Sequence, residues 1–231
     1  MTDVGGTPES RADLVSKLSH EVRGPVSTLR GLVGTTLAHY DRLNDDERRE
    51  FLHLIEHEAD RLERSVEQIA LALKLDAGSV RFDPKRQDLG EIVREAVESA
   101  NTGDHPVDVD AAESLEAPVD GVLIASVVHQ LIDNAVTFSP PDSPITVRLR
   151  RVGDDAVIEI ADQGPGVPPD KREAVFERFA DWRPPDYEDR PGAGLGLFIS
   201  RAVAREHGGE ASISDGPAGG TMLVVRLPVE G

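Results

Sequence analysis

Two stretches near the start of the 231-residue chain carry apolar or small side chains alternately three and four residues apart. Val15, Leu18, Val22, Pro25, Leu29, Leu32 and Thr36 make the first stripe; Ile55, Ala59, Leu62, Val66, Ile69 and Leu73 make the second. That period belongs to a helix lying along another helix. Between them Asn44-Asp45-Asp46-Glu47 reads as a turn leading into a capped, acid-rich helix start. One helix from Ser10 to about Tyr40 and a second to about Asp76 therefore form an antiparallel hairpin, preceded by a small polar lead-in over residues 1–10. With one apolar seam on each helix, a single hairpin has too little core to stand alone. Two copies packed as a four-helix bundle bury both seams, so a homodimer through the bundle is expected.

Ala77-Gly78 ends the second helix, and Asp83-Pro84 marks a hinge to a different style of sequence. Beyond it the patterns predict helices over 89–100, 120–138 and about 195–207. Strands are predicted near 106–110 and at 144–152, 156–161, 210–214 and 220–227. The fold class is thus a helical hairpin over 1–80 followed by an α/β sandwich over 81–231, a mixed sheet with helices on one face.

The formal charge of -18, from 25 Lys and Arg against 43 Asp and Glu, repels nucleic acid phosphates. Arg148, Arg150 and Arg151 are the densest basic group, and they sit in a strand-like alternation. With no cysteine there is no disulfide or thiolate chemistry. No apolar run approaches membrane-spanning length and the first residues do not resemble a signal peptide, so a cytoplasmic location is expected, as a soluble protein or the cytoplasmic part of a longer receptor.

Three segments of the second domain suit nucleotide chemistry. In Gln130-Leu131-Ile132-Asp133-Asn134-Ala135, late in a predicted helix, Asn134 offers a neutral oxygen suited to Mg²⁺. In Asp162-Gln163-Gly164-Pro165-Gly166, a carboxylate at a strand end can accept from an adenine amino group while Gly164 and Gly166 admit close backbone approach. Gly192-Ala193-Gly194-Leu195-Gly196-Leu197 opens a helix, where exposed N–H groups favour phosphate. Alone, such a glycine string is as often a flexible loop. The three together, in this order and on these elements, carry the specificity.

In that order they resemble the Bergerat-type ATP-binding domain of histidine kinases, Hsp90 chaperones, type II topoisomerases and mismatch-repair ATPases, over roughly 80–230. Val175-Phe176-Glu177-Arg178-Phe179, His207-Gly208-Gly209, Gly219-Gly220-Thr221 and Leu227-Pro228 resemble further parts of the histidine kinase pattern. The resemblance implies ATP and Mg²⁺ as ligands, with Asn134 on the metal and Asp162 reading adenine. Gly192, Gly194, Leu195 and Gly196 border the phosphates. A lid covers ATP over about 165–191, where prolines, charges and the sole tryptophan, Trp182, suit a mobile loop. Hydrolysing relatives carry Glu four residues before the metal-binding Asn. Here Gln130 stands there and cannot act as a base.

An acceptor lies in the hairpin. Ser19-His20-Glu21-Val22-Arg23-Gly24-Pro25 resembles the His-Glu-x-x-Thr-Pro box of histidine kinase dimerisation domains, over about 10–77. His20 falls off the apolar stripe and is expected to face outward as the phosphorylated nucleophile, with Glu21 as its base. Pro25 cannot donate to the carbonyl of Glu21, which loosens the helix there. The resemblance implies a cognate response regulator as partner. Gly24 stands where the family commonly has Thr or Asn to position a dephosphorylating water, so weak phosphatase activity is expected. The lysine often found after the metal-binding Asn is Thr137. The competing class is a non-catalytic, nucleotide-binding dimeric scaffold that regulates a partner by binding. His53 and His57 lack a third metal ligand nearby, and Glu56, Glu58 and Glu63 are expected to form a solvated acidic face.

Overall fold

The computed structural model describes residues 11–111, 114–188, 190, 192–216 and 219–230, without the side chains of residues 11–17, 20 and 21. It divides into two compact units, Met1–Ala70 and Leu71–Gly231.

The first unit is built on two long helices, α1 (Arg11–His39) and α2 (Asp45–Asp76). Asn44 starts α2 with a capping box. Its Oδ1 accepts from the amides of Asp46 and Glu47 at 2.9 and 3.0 Å, while Glu47 Oε2 accepts from the Asn44 amide at 2.8 Å. Arg48 pins the turn by donating to the Tyr40 carbonyl. Pro25 and Thr36 are buried on α1, with Leu18, Val22, Leu29 and Leu32 half-buried on the same stripe.

Within a single hairpin the stripe expected on α2 is covered only in part. Ile55, Leu62 and Ile69 are half-buried, but Ala59, Val66 and Leu73 are exposed, and Glu58, Ser65 and Ala72 beside them are buried. Glu58 therefore does not belong to a solvated face; Arg61 meets its carboxylate at 3.2 Å, which offsets the cost of burial. A second apolar set remains outward: Val26, Val33, Leu37 and Tyr40 on α1, and Leu52, Val66 and Leu73 on α2.

The second unit is a mixed sheet covered by α3 (Leu89–Ser99), α4 (Gly121–Phe138) and α5 (Gly196–Glu206). Its strands are β2 (Val107–Asp110), β4 (Ile145–Val152), β5 (Asp155–Ala161), β6 (Glu210–Asp215) and β7 (Thr221–Pro228). They lie in the order β2-β4-β5-β7-β6, with only the β2–β4 pair parallel. Register lines up Val147, Ile160 and Leu223 in one row and Leu149, Ile158 and Val225 in the next, all buried beneath the helices. One residue along, Arg148 pairs with Glu159 and Val157 with Arg226 on the opposite face.

Two short strands, β1 (Lys85–Asp88) and β3 (Glu116–Val119), add a two-stranded sheet that the patterns did not predict. Asp88 accepts from the amides of Gly90 and Leu115, so it caps α3 and fastens β3 to it. By length and composition alone α4 also suits a membrane span, with a mean hydropathy of 1.3 over 18 residues, contrary to the sequence expectation. Leu123, Ile124, Val127, Val128, Leu131 and Ile132 are instead buried in this domain, as befits a core helix.

Candidate active site

The end of β5 sets the first group. Register continues one residue past the strand, where the Asp162 amide donates to the Thr221 carbonyl at 2.9 Å. Asp162 Oδ1 in turn accepts from the amides of Thr221 at 3.1 Å and Gly164 at 2.7 Å. Burial raises the carboxyl pKa above its ordinary value, and hydrogen bonds from Thr221 and Gly164 pull it back down. Oδ1 is thus held by protein amides. Residue spacing does not mark Thr221 as a site residue; its place opposite Asp162 follows from the β5–β7 register.

Gly164 must be glycine on steric grounds. A β-carbon there would lie 2.6 Å from the Phe138 carbonyl and 2.9 Å from Asp162 Oδ1. Gly166 lies against the Gly219–Gly220 backbone. The turn after β5 is therefore seated on the C-terminal end of α4.

One turn earlier on α4 lies Asn134. Its Nδ2 is buried and has no hydrogen-bond partner among the described residues. A β-carbon on Gly196 would lie 3.0 Å from Gln130 Oε1 and 3.6 Å from Asn134 Nδ2, so the start of α5 abuts this stretch of α4. The N-cap residue of α5 also gives that helix's first amides no side-chain acceptor. Asp88 and Asp120 supply side-chain caps to α3 and α4, whereas Leu195 makes none for α5. Open amides at a helix start attract anions.

The glycine loop rests on the segment over 165–191. Gly194, at φ +65°, would place a β-carbon 2.2 Å from the Ala180 carbonyl, so only glycine fits. The segment over 165–191 is less uniformly mobile in character than its composition suggests. Val175, Phe176 and Phe179 are buried, Arg201 stacks over Phe176 at 3.6 Å, and a 3-10 turn spans Ala174–Phe176. Farther along, Tyr187 meets the Phe138 ring at 5.9 Å between centroids.

Asp162, Gly164, Asn134 and Gly196 are therefore brought together along one side of α4, with Gly194 joined through Ala180. His20 and Glu21 lie in α1, and their side chains fall outside the described residues. Gly24, one turn from His20, is exposed, with nothing within 4 Å of an added β-carbon.

Residues 10–78 match the His Kinase A (phospho-acceptor) domain, and residues 119–231 match the histidine kinase-, DNA gyrase B- and HSP90-like ATPase family. A mycobacterial sensor histidine kinase, MprB, is 30% identical, with a TM-score of 0.56 over 64% of this chain and 98% of that one. The chain belongs to the sensor histidine kinases. It has the family's catalytic core, a phosphoacceptor helical domain followed by an ATP-binding domain. Sensor protein KdpD of Clostridium acetobutylicum is 29% identical over 95% of this histidine kinase chain and 25% of its own length. Sensor-like histidine kinase SenX3 of Mycobacterium tuberculosis is 29% identical over 98% of this chain and 56% of its own. The chain thus spans between about a quarter and a little over half of these two curated relatives. The AdeS histidine kinase of Acinetobacter baumannii shares the fold, with a TM-score of 0.66 over 91% of this chain at 18% identity.

Among the described residues no three His, Cys, Asp or Glu side chains gather as a metal site. Mg²⁺ in a nucleotide site takes few protein ligands and relies on the substrate's phosphates and water. The buried amide of Asn134 fits such a role: turning it by half a rotation presents Oδ1 in place of the unpartnered Nδ2.

Proposed function

We propose that this chain, as a homodimer, transfers the γ-phosphoryl group of Mg-ATP to His20 and then to an aspartate of a cognate response regulator. The observation that carries this reading is the convergence of Asp162, Gly164, Asn134 and Gly196 on α4, in a chain whose first helix holds His20. Asp162 reads the adenine amino group through the oxygen that Gly164 and Thr221 leave to it. Asn134 holds Mg²⁺, which would offset triphosphate charge. The first amides of α5 and the glycines 192, 194 and 196 take the phosphates.

On the hairpin, a ring nitrogen of His20 attacks the γ-phosphorus, the bond from that phosphorus to the bridging oxygen breaks so that ADP leaves, and Glu21 takes the proton from the other ring nitrogen. Gln130 in place of a carboxylate leaves water without a base, which favours the histidine as acceptor. Pro25 removes the amide that would otherwise bond the Glu21 carbonyl, and this local slack lets the nucleotide approach His20. Gly24 carries no side chain to hold a hydrolytic water, so the balance lies towards kinase and away from phosphatase. The outward apolar residues of α1 and α2 support the dimer, since a partner hairpin would cover them. We assign this portion to the cytoplasm, where ATP and a response regulator are available.

Incubation with γ-labelled Mg-ATP tests the reading. Label is expected on the wild type and absent from His20→Gln. A wild type that binds nucleotide but takes no label would instead be a scaffold.

A further inference from the structure

Lid residues hold the glycine loop from outside. The Arg183 guanidinium donates through Nη1 to the carbonyls of Ala180 at 3.0 Å and Trp182 at 2.9 Å, and through Nη2 to the Gly192 carbonyl at 2.8 Å. A trans peptide puts its C=O and the next N–H on opposite sides. Fixing the Gly192 carbonyl on Arg183 therefore turns the Ala193 N–H away from the guanidinium. Two residues on, Gly194 sits directly against Ala180, whose own carbonyl Arg183 also holds. Both ends of Gly192–Gly194 are thus set by the four residues 180–183.

We propose that Arg183 is a positioning residue for the nucleotide's phosphates, locking Gly192–Gly194 in its phosphate-binding form and placing a fixed positive charge beside it. Thr137 gives α4 no cation at the position where the family often has lysine. An arginine in the lid supplies one from the other side. The planar guanidinium has five donors and can span three carbonyls at once, which a lysine ammonium cannot do in this geometry. The inference rests on the Mg-ATP reading of the site and names the group that tunes its phosphate half.

The test is calorimetric titration of the whole chain with Mg-ADP, the Mg complex of a non-hydrolysable ATP analogue, and adenosine. Wild type, Arg183→Ala and Arg183→Lys are compared, with melting temperatures of each free protein. The expected result is roughly tenfold to a hundredfold weaker binding of both phosphorylated nucleotides by Arg183→Ala. Adenosine affinity and the melting temperature should stay at wild-type values, and Arg183→Lys should recover part of the loss. In autophosphorylation, KM for ATP should rise while the rate at saturation changes little. Equal nucleotide affinity in wild type and Arg183→Ala overturns the proposal, as does an equal loss for adenosine. A wild type that binds no Mg-ADP overturns the site reading itself, and the proposal with it.

Discussion

The backbone N–H of Asp120 donates to Nε2 of His207 across 3.0 Å, tying the start of α4 to the end of α5. The other ring nitrogen, Nδ1, lies 2.7 Å from the Val203 carbonyl, so the ring is neutral with its proton on Nδ1. Phe82 stands edge-on to the ring at 4.5 Å, and Asp120 Oδ2 accepts from the Asp83 amide, so the linker is fastened at the same point.

This arrangement makes stability depend on pH in a definite direction. Burial holds the His207 pKa below its ordinary value, against the upward pull of the Val203 carbonyl, Asp120 and Glu206. The unfolded chain then binds the proton more readily, so stability rises with pH across this window and is lost as pH falls below about 6.5. Urea unfolding at pH 7.5 and 5.5 should show a larger loss for wild type than for His207→Gln. An equal loss in both would show that the buried ring is not held neutral.

Asp162→Asn separates recognition from folding. The new side chain can still accept from the Gly164 and Thr221 amides through its oxygen, which leaves an NH₂ group facing the adenine amino group, donor against donor. Mg-ADP affinity should fall roughly tenfold to a hundredfold with little change in melting temperature. Retained affinity, measured by calorimetry, would remove Asp162 from the base-reading role.

In the homodimer proposed above, the outward residues Val33 and Val66 would lie in the interface between hairpins. Charges there would be buried without partners. The Val33→Asp, Val66→Asp double variant should sediment as a monomer at concentrations where wild type is a dimer. A variant that remains dimeric would put the interface elsewhere.

Gly24→Thr should add phosphatase activity. The position is exposed and open around an added β-carbon, so the side chain fits, and replacing a mid-helix glycine also lowers the helix's entropy cost. Phosphorylated regulator should decay faster with the variant than with wild type. Equal decay would show that Gly24 is not the limitation.

Much of this layout was legible in the sequence because periodicity reports burial directly. The alternation of Val147 and Leu149 and the apolar run through Ile158 and Ile160 located the central strands, and the glycines of 192–196 located the start of α5. Two features were not legible. β1 is Lys85-Arg86-Gln87-Asp88, all polar, and β3 carries Pro118; neither has a strand signature, and each is fixed by the other and by the cap at Asp88. What α2 buries within one hairpin is the other: Glu58, Ser65 and Ala72 are polar or small and give no apolar signal, while Ala59, Val66 and Leu73 of the apolar stripe stay outward, on the face proposed to meet a partner hairpin. Within the site, the placement of Thr221 and Arg183 depends on strand register and on how residues 165–191 fold, which residue spacing does not encode.

The proposed activity stands or falls on the transfer of phosphate to His20. The most direct measurement is mass-spectrometric localisation of phosphate on the intact chain after incubation with Mg-ATP, run alongside Asp162→Asn and His20→Gln. One phosphoryl group is expected on the peptide that holds His20, labile in acid and stable in base, and absent from both variants. An acid-stable phosphate on Ser19, or a wild type that binds Mg-ATP yet gains no phosphate, would contradict it.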